Sequence, residues 1–218
     1  MTGWNTLGGF SYYFKENDPI KGRLEHGPYK YLGKLSYWEA NQNLILRWGS
    51  KTDIPSVYTC KLNLNANFHF DLGMSSARTK WGTALGRAIS SSSSSSANIA
   101  YYGGTVAQIN NLKIFDPVES WDVGWTVSES SLEGVWKYNS NMKYGYKITE
   151  PVRGYIVDRW PIPPINTDPC VNVCTHEMGH ALGWHGHTPD WNSVMYPLSS
   201  NITTLTNIDK RHLTQVYN

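Results

Sequence analysis

Apolar residues recur along this chain at two spacings. Leu44 to Trp48, Val57 to Leu64, Ala97 to Tyr102, Val123 to Val127, Tyr144 to Thr149 and Tyr155 to Val157 are short runs that predict strands. Ala77, Trp81, Ala84, Leu85, Ala88 and Ile89 instead keep helical spacing, which predicts a helix capped by Ser75 or Ser76. Seven serines follow, Ser90 to Ser96, and predict a flexible polar loop without chemistry of its own. Pro161-Ile162-Pro163-Pro164 reads as a rigid linker into a second helix. There Asp168 offers an N-cap, Pro169 the first helical position, Val173 and Leu182 a buried side, and Gly183 a stop. A last helix begins at a capping-box variant, Thr206 with Asp209, and carries Ile208, Leu213 and Val216 as its apolar stripe. It reads as a packing helix, with His212 on its surface.

The second helix carries chemistry. His176-Glu177-Met178-Gly179-His180 places two imidazoles four residues apart, hence on one helical face. Both can point at one metal ion, and zinc suits imidazole. Catalytic zinc keeps three protein ligands and one open position. Glu177 follows the first histidine and can reach a metal-bound water without ligating the metal, as a general base does. A straight helix would carry a third ligand away, whereas a chain bent at Gly183 can bring a later histidine back. Such a five-residue pattern alone also arises by chance in exposed helices. Gly183, the histidines beyond it and Met195 are separate features that point the same way.

With these residues the chain resembles the metzincin zinc endopeptidases, and within them the matrixin (matrix metalloproteinase-like) group of bacterial type. The family pattern is H-E-x-x-H-x-x-G-x-x-H followed by a Met-turn. The resemblance implies an α+β, metzincin-like catalytic domain. In it a twisted mixed sheet packs on two long helices, and an irregular C-terminal subdomain ends in a helix. It implies a zinc-dependent endopeptidase that hydrolyses peptide bonds of extended polypeptide substrates through a zinc-bound water activated by Glu177. One catalytic Zn2+ would be held by His176, His180 and a third histidine. Met195 would be the Met-turn floor, and Tyr196 and Pro197 would line the pocket for the side chain after the cut bond. A sheet edge strand somewhere in 97–127 or 144–157 would pair with the substrate. Leu205 through Tyr217 resembles the family's C-terminal helix.

The pattern departs at the third ligand. Ten residues after His176 stands Gly186, flanked by His185 and His187. His187 is the favoured ligand, because its distance to Met195 equals the family's distance from third ligand to Met-turn. A one-residue insertion after Gly183 then explains the mismatch. The other histidine reads as a solvated loop side chain or as a donor behind the ligands. Vertebrate-type matrixins also carry a structural zinc built from upstream histidines, and this chain has none between His69 and His176. Asp116, Glu119, Asp122, Glu129 and Asp158 offer the oxygen that calcium prefers, but no calcium-loop spacing supports such a site.

Composition narrows the remaining choices. The chain has 218 residues, 40% hydrophobic and 13% aromatic, enough for one domain with a substantial core, or one such domain with an appendage. A net charge of +2 without a basic run leaves nothing to suggest nucleic acid, and no run approaches the roughly 18 apolar residues of a membrane helix. Residues 45–218 match a catalytic domain in length, and the chain reads as a monomer acting on protein or peptide. Residues 1–44 differ in being rich in Gly, Tyr and Lys. They have three readings: an aromatic hairpin packed on the catalytic domain, one unit of a Gram-positive wall-binding repeat that would hold cell-wall polymer, or a pro-segment. The hairpin is preferred, since a lone repeat has no neighbour to bury its faces. No leader precedes Trp4, and a secreted mature protein with an added start methionine is preferred to an intracellular one. The ten tryptophans and fourteen tyrosines fit that view. Cys60, Cys170 and Cys174 leave at least one thiol unpaired within the chain. A bridge from Cys60 to the active helix, a second zinc on Cys170 and Cys174, and a latency switch at Cys60 are the alternatives. The switch lacks the family's motif, and the second zinc lacks a fourth ligand.

Overall fold

A computed structural model describes residues 3–7, 10–14, 24–29, 46–126, 138–142, 145–148, 150–159, 169–184, 187–188 and 190–217. The sequence readings at Pro161–Pro164, Asp168, Glu129 and His185 fall outside them, as do the side chains of His212 and Val216.

Five strands build the main sheet: β5 (Val57–Lys61), β6 (Ser91–Ser92), β7 (Ile99–Gly104), β8 (Gly124–Thr126) and β11 (Val152–Val157). Their spatial order is β6-β5-β7-β11-β8, parallel except for β8, which pairs antiparallel with β11. Parallel neighbours need crossover connections. Helix α1 (Phe70–Leu85) makes the first, between β5 and β6, and α2 (Val106–Asn111) follows β7. Helix α3 (Pro169–Ala181) carries the histidines, and α4 (Asn207–Tyr217) ends the described chain. Outside the main sheet, β4 (Leu46–Arg47) pairs with β10 (Gly145–Ile148), which pairs with β9 (Tyr138–Met142). At the N-terminus β1 (Gly3–Leu7), β2 (Phe10–Phe14) and β3 (Leu24–Tyr29) form an antiparallel sheet of their own. The α+β mixed sheet on two long helices is the architecture expected of a matrixin-like catalytic domain.

One core joins α1, α3 and one face of the main sheet. Phe70, Met74, Ala77, Trp81 and Leu85 repeat at helical spacing and are all buried. They meet Cys170, Val173, Cys174 and Met178 from α3. The helices approach closely because α1 presents Gly73, where any Cβ would sit 2.6 Å from the Cys174 sulfur. The Trp81 indole N–H donates to the Thr175 carbonyl at 2.8 Å, which fixes the register of α1 against α3.

Several element boundaries differ from the sequence reading. Helix α1 starts at Phe70, and Ser75 and Ser76 lie inside it. Phe70 and Met74 extend its apolar face one turn earlier, and burial of that face outweighs the serine capping preference. It stops at Leu85 because Gly86 takes a left-handed φ of +68°, so Ala88 and Ile89 lie beyond it. The serine run is not all loop, since Ser91 and Ser92 add a short strand beside β5. Helix α2 was absent from the sequence reading. No disulfide joins Cys60 to the active helix: Cys60, Cys170 and Cys174 are all thiols, with Cys60 on β5 and the other two buried on α3. Among the described residues, no helix is long and apolar enough to cross a membrane.

Candidate metal centre

His176 and His180 sit one turn apart on the last half of α3, as the spacing requires. Beyond Ala181 the chain turns at Gly183, whose φ of +110° is open to glycine and strained for other residues. The Trp184 amide donates back to the Gly179 carbonyl at 2.9 Å, closing the turn. Two distant side chains complete this helix end. The Trp48 indole donates to the Ala181 carbonyl at 2.8 Å and the Tyr217 hydroxyl to the Leu182 carbonyl at 2.6 Å. Ala181 is the last residue of α3 and Leu182 the one after it, where the helix itself has no donors left.

The returning chain brings His187 beside the other two rings. Ring centroids lie 4.7 Å apart for His176–His180, 5.1 Å for His176–His187 and 5.0 Å for His180–His187. One nitrogen from each ring falls in a set whose members are all within 4.8 Å of one another. Among the described residues no other group of three or more His, Cys, Asp or Glu converges in this way. Cys60 does not join the group, so the structure does not support the latency switch in this form of the chain.

Hydrogen bonding settles which nitrogens face inward. His176 Nδ1 lies 2.8 Å from the Val194 carbonyl, and His180 Nδ1 lies 2.8 Å from the Trp184 carbonyl. A carbonyl only accepts, so each Nδ1 carries the proton and each neutral ring turns a bare lone pair at Nε2 toward its neighbour. Those two Nε2 atoms are 3.0 Å apart. Two lone pairs at that distance repel unless a cation lies between them. Two nitrogens each about 2.0–2.1 Å from a tetrahedral zinc would sit about 3.3 Å apart, close to what is seen. Two imidazoles with fixed tautomers and a third ring beside them are thus a donor set suited to Zn2+, and backbone carbonyls behind ligand histidines are the usual way to hold such rings.

Met195 is fully buried against Gly179 of α3. A Cβ on Gly179 would meet the Met195 sulfur at 2.6 Å and Trp81 at 2.9 Å, so the glycine is what lets the methionine approach. The turn holding Met195 is tied to α4. Asp209, fully buried, accepts the Ser193 hydroxyl, the Val194 amide at 3.3 Å, and the amide and hydroxyl of Thr206, each at 2.8 Å. Asp209 therefore does more than cap α4: it holds the segment whose Val194 carbonyl orients His176. Tyr196 is half-buried and Pro197 exposed, both just past Met195.

Glu177 is buried beside this cluster. Burial pushes its carboxyl up to about 8, against hydrogen bonds from the Thr126 hydroxyl and amide that draw it down. His176 goes the other way: burial, then the charge of His187, lower it to about 4, while its bond to Val194 raises it. Both shifts affect the metal-free protein. Unfolded His176 binds more protons than the folded form between pH 4 and 6.5, so stability rises with pH there. Folded Glu177 binds more protons than the unfolded form between pH 4.5 and 8, so stability falls with rising pH there. Above pH 6.5 only the second effect operates. Chelator-treated protein should lose melting temperature between pH 6.5 and 8, and Glu177→Gln should remove that loss. Parallel melting curves for the two proteins across this range would disprove the expectation.

The family profile Peptidase M10, matrixin, matches residues 96–218, more than half of the chain. The chain belongs to the matrixin family. Matrixins are zinc metalloendopeptidases, so this chain is a metalloendopeptidase with catalytic zinc, and its three clustered histidines accord with one ion. No curated protein matches it. Residues 46–95 lie outside the match, yet β5 and β6 complete the matrixin's sheet and α1 backs its active helix. Of the other acidic candidates, Asp158 accepts the side-chain amides of Asn63 and Asn65, and Asp122 accepts the Tyr155 hydroxyl and the Glu119 amide.

Proposed function

We propose that His176, His180 and His187 hold the catalytic zinc and that Glu177 is the general base for hydrolysis of peptide bonds in extended polypeptides. The observation that carries this reading is the pair of Nε2 lone pairs 3.0 Å apart, with His187 closing the third side. Zinc, when bound, polarises the scissile carbonyl and brings the pKa of water to about 7. Glu177 accepts a proton from the attacking water and passes it to the leaving amine. Its burial beside the three histidines places the carboxyl next to the metal position without making it a ligand. Met195 supports the ligand turn from below, and Tyr196 and Pro197 border the pocket for the side chain after the cut bond. The substrate lies along β8, one of the two edges of the main sheet among the described residues, and adds a strand by main-chain hydrogen bonds. A Cβ at Gly124 on β8 would come within 3.2 Å of Glu177 Cγ, so this edge borders the base.

The same reading makes 45–218 the catalytic unit and 1–44 an appended aromatic hairpin. The Trp4–Tyr13 pairing within β1–β2 supports the hairpin. The protein acts outside the cell as a monomer on protein or peptide substrates. Metal content combined with peptide-library cleavage tests the whole. One equivalent of zinc per chain and cleavage that chelator abolishes and zinc restores is the expected result. Bound zinc without cleavage of any peptide would instead make the chain an inactive scaffold.

A further inference from the structure

Glu177 is fixed to the sheet through its main chain. The Glu177 carbonyl lies 2.6 Å from the Tyr101 hydroxyl on β7 and 3.0 Å from the Thr126 hydroxyl on β8. The two hydroxyls are 2.7 Å from each other. Tyr101 is fully buried and Thr126 nearly so, so water does not compete for these bonds. A carbonyl inside a helix has its own amide four residues on as partner, and two further buried hydroxyls are not needed to satisfy it. Valine and phenylalanine would fill the same space with carbon.

The surroundings leave this cluster little freedom. Gly154 is paired with both Tyr101 and Thr126 across the strands, and a Cβ on it would lie 2.2 Å from the Tyr101 ring. Gly124 shares the inward face of β8 with Thr126, and a Cβ on it would lie 2.5 Å from Val173 on α3. Glycine on both strands thus lets sheet and helix close on each other at the level of Glu177. The two hydroxyls then set the position of the helix along the sheet, which apolar contacts alone do not fix.

We propose that Thr126, held by Tyr101, is a positioning residue for Glu177. It ties the turn of α3 that bears the base to the strand along which substrate lies. Base and scissile bond then share one rigid reference, and substrate binding at β8 acts on the base without a flexible joint between them. This inference rests on the reading of Glu177 as the general base.

The experiment compares Thr126→Val, Thr126→Ser and Tyr101→Phe with the parent, all zinc-loaded. Thr126→Val should keep one zinc and a KM within about threefold of the parent while kcat falls about 10- to 100-fold, the cost of a misplaced catalytic group. Thr126→Ser keeps the hydroxyl and should recover kcat to within about threefold, with Tyr101→Phe between the two. A second measurement does not need turnover. In cobalt-loaded protein, acetohydroxamate binds the metal and donates a hydrogen bond to the base, and its affinity is read from the visible spectrum. Thr126→Val should weaken it about 10-fold and Thr126→Ser should not. Parent-like kcat and hydroxamate affinity in Thr126→Val would overturn the proposal, as would equal losses in the Val and Ser variants, which would mean packing alone. A metal-loaded parent that cuts no peptide overturns the peptidase reading, and the hydroxamate titration still decides the role of Thr126.

Discussion

Glu177→Ala should leave one zinc bound per chain and lower the rate of peptide hydrolysis by at least about 100-fold, the usual worth of a positioned base. Zinc retention is expected because Glu177 is not one of the three side chains that converge, and because His176 and His180 are oriented by carbonyls of Val194 and Trp184. In its proposed role the carboxyl acts on the proton in transit and not on the bound chain, so the loss should fall on kcat with KM little changed. Glu177→Gln keeps the shape and hydrogen-bonding reach and should be nearly as slow, which separates basicity from packing. Casein digestion by Glu177→Ala at the parent rate would remove Glu177 from the mechanism.

The second large effect is expected at Asp209, some thirty residues further along the chain. Its carboxyl is the meeting point of Ser193, Val194 and Thr206, and nothing else described receives the Val194 amide. Asp209→Ala strands buried donors in the Met195 turn and at the start of α4 together. Each stranded group costs about 1–3 kcal/mol, and because they share one network the whole should come to about 3–5 kcal/mol. For a chain of this size that corresponds to a fall in melting temperature of roughly 6–20 °C. The turn also presents the Val194 carbonyl to His176, so zinc affinity should drop about 10- to 100-fold, as when a group behind a ligand is lost. Asp209→Asn keeps one acceptor oxygen and should fall between parent and Ala. Calorimetry and zinc competition read the two effects separately. An Asp209→Ala protein melting within 2 °C of the parent, or binding zinc equally well, would show that the turn holds itself.

Some of this arrangement was legible along the chain because its causes are local. Histidines four apart share a helical face whatever surrounds them, and Gly183 bends because the backbone there must take a positive φ. The Thr206–Asp209 capping box was readable for the same reason, with the Thr206 amide on Asp209 and the Asp209 amide on Thr206. Helix α2 carried such a signal too. Thr105 and Gln108 form a capping box, but a helix of six residues offers too little apolar repeat to stand out beside it. The start of α1 was misplaced because serine's capping preference is worth less than burial of Phe70 and Met74, and burial depends on what packs opposite.

The sequence by itself determined the chemistry: two imidazoles and a carboxylate at family spacing, a third imidazole one residue late and a methionine beyond it, and from them a zinc peptidase. It favoured His187 by counting back from Met195, and the fold brings His187 to the other two rings. Only the tertiary structure decided what holds them. Asp209 reaches across from α4, Trp48 and Tyr217 finish the last turn of α3, and Tyr101 and Thr126 grip Glu177 from two strands. Those partners are between 15 and 133 residues away in sequence. A hydrogen bond needs its atoms within about 3 Å in space. Helical periodicity fixes distances only over a turn or two, so which remote side chain fills each place is settled when the sheet and helices close.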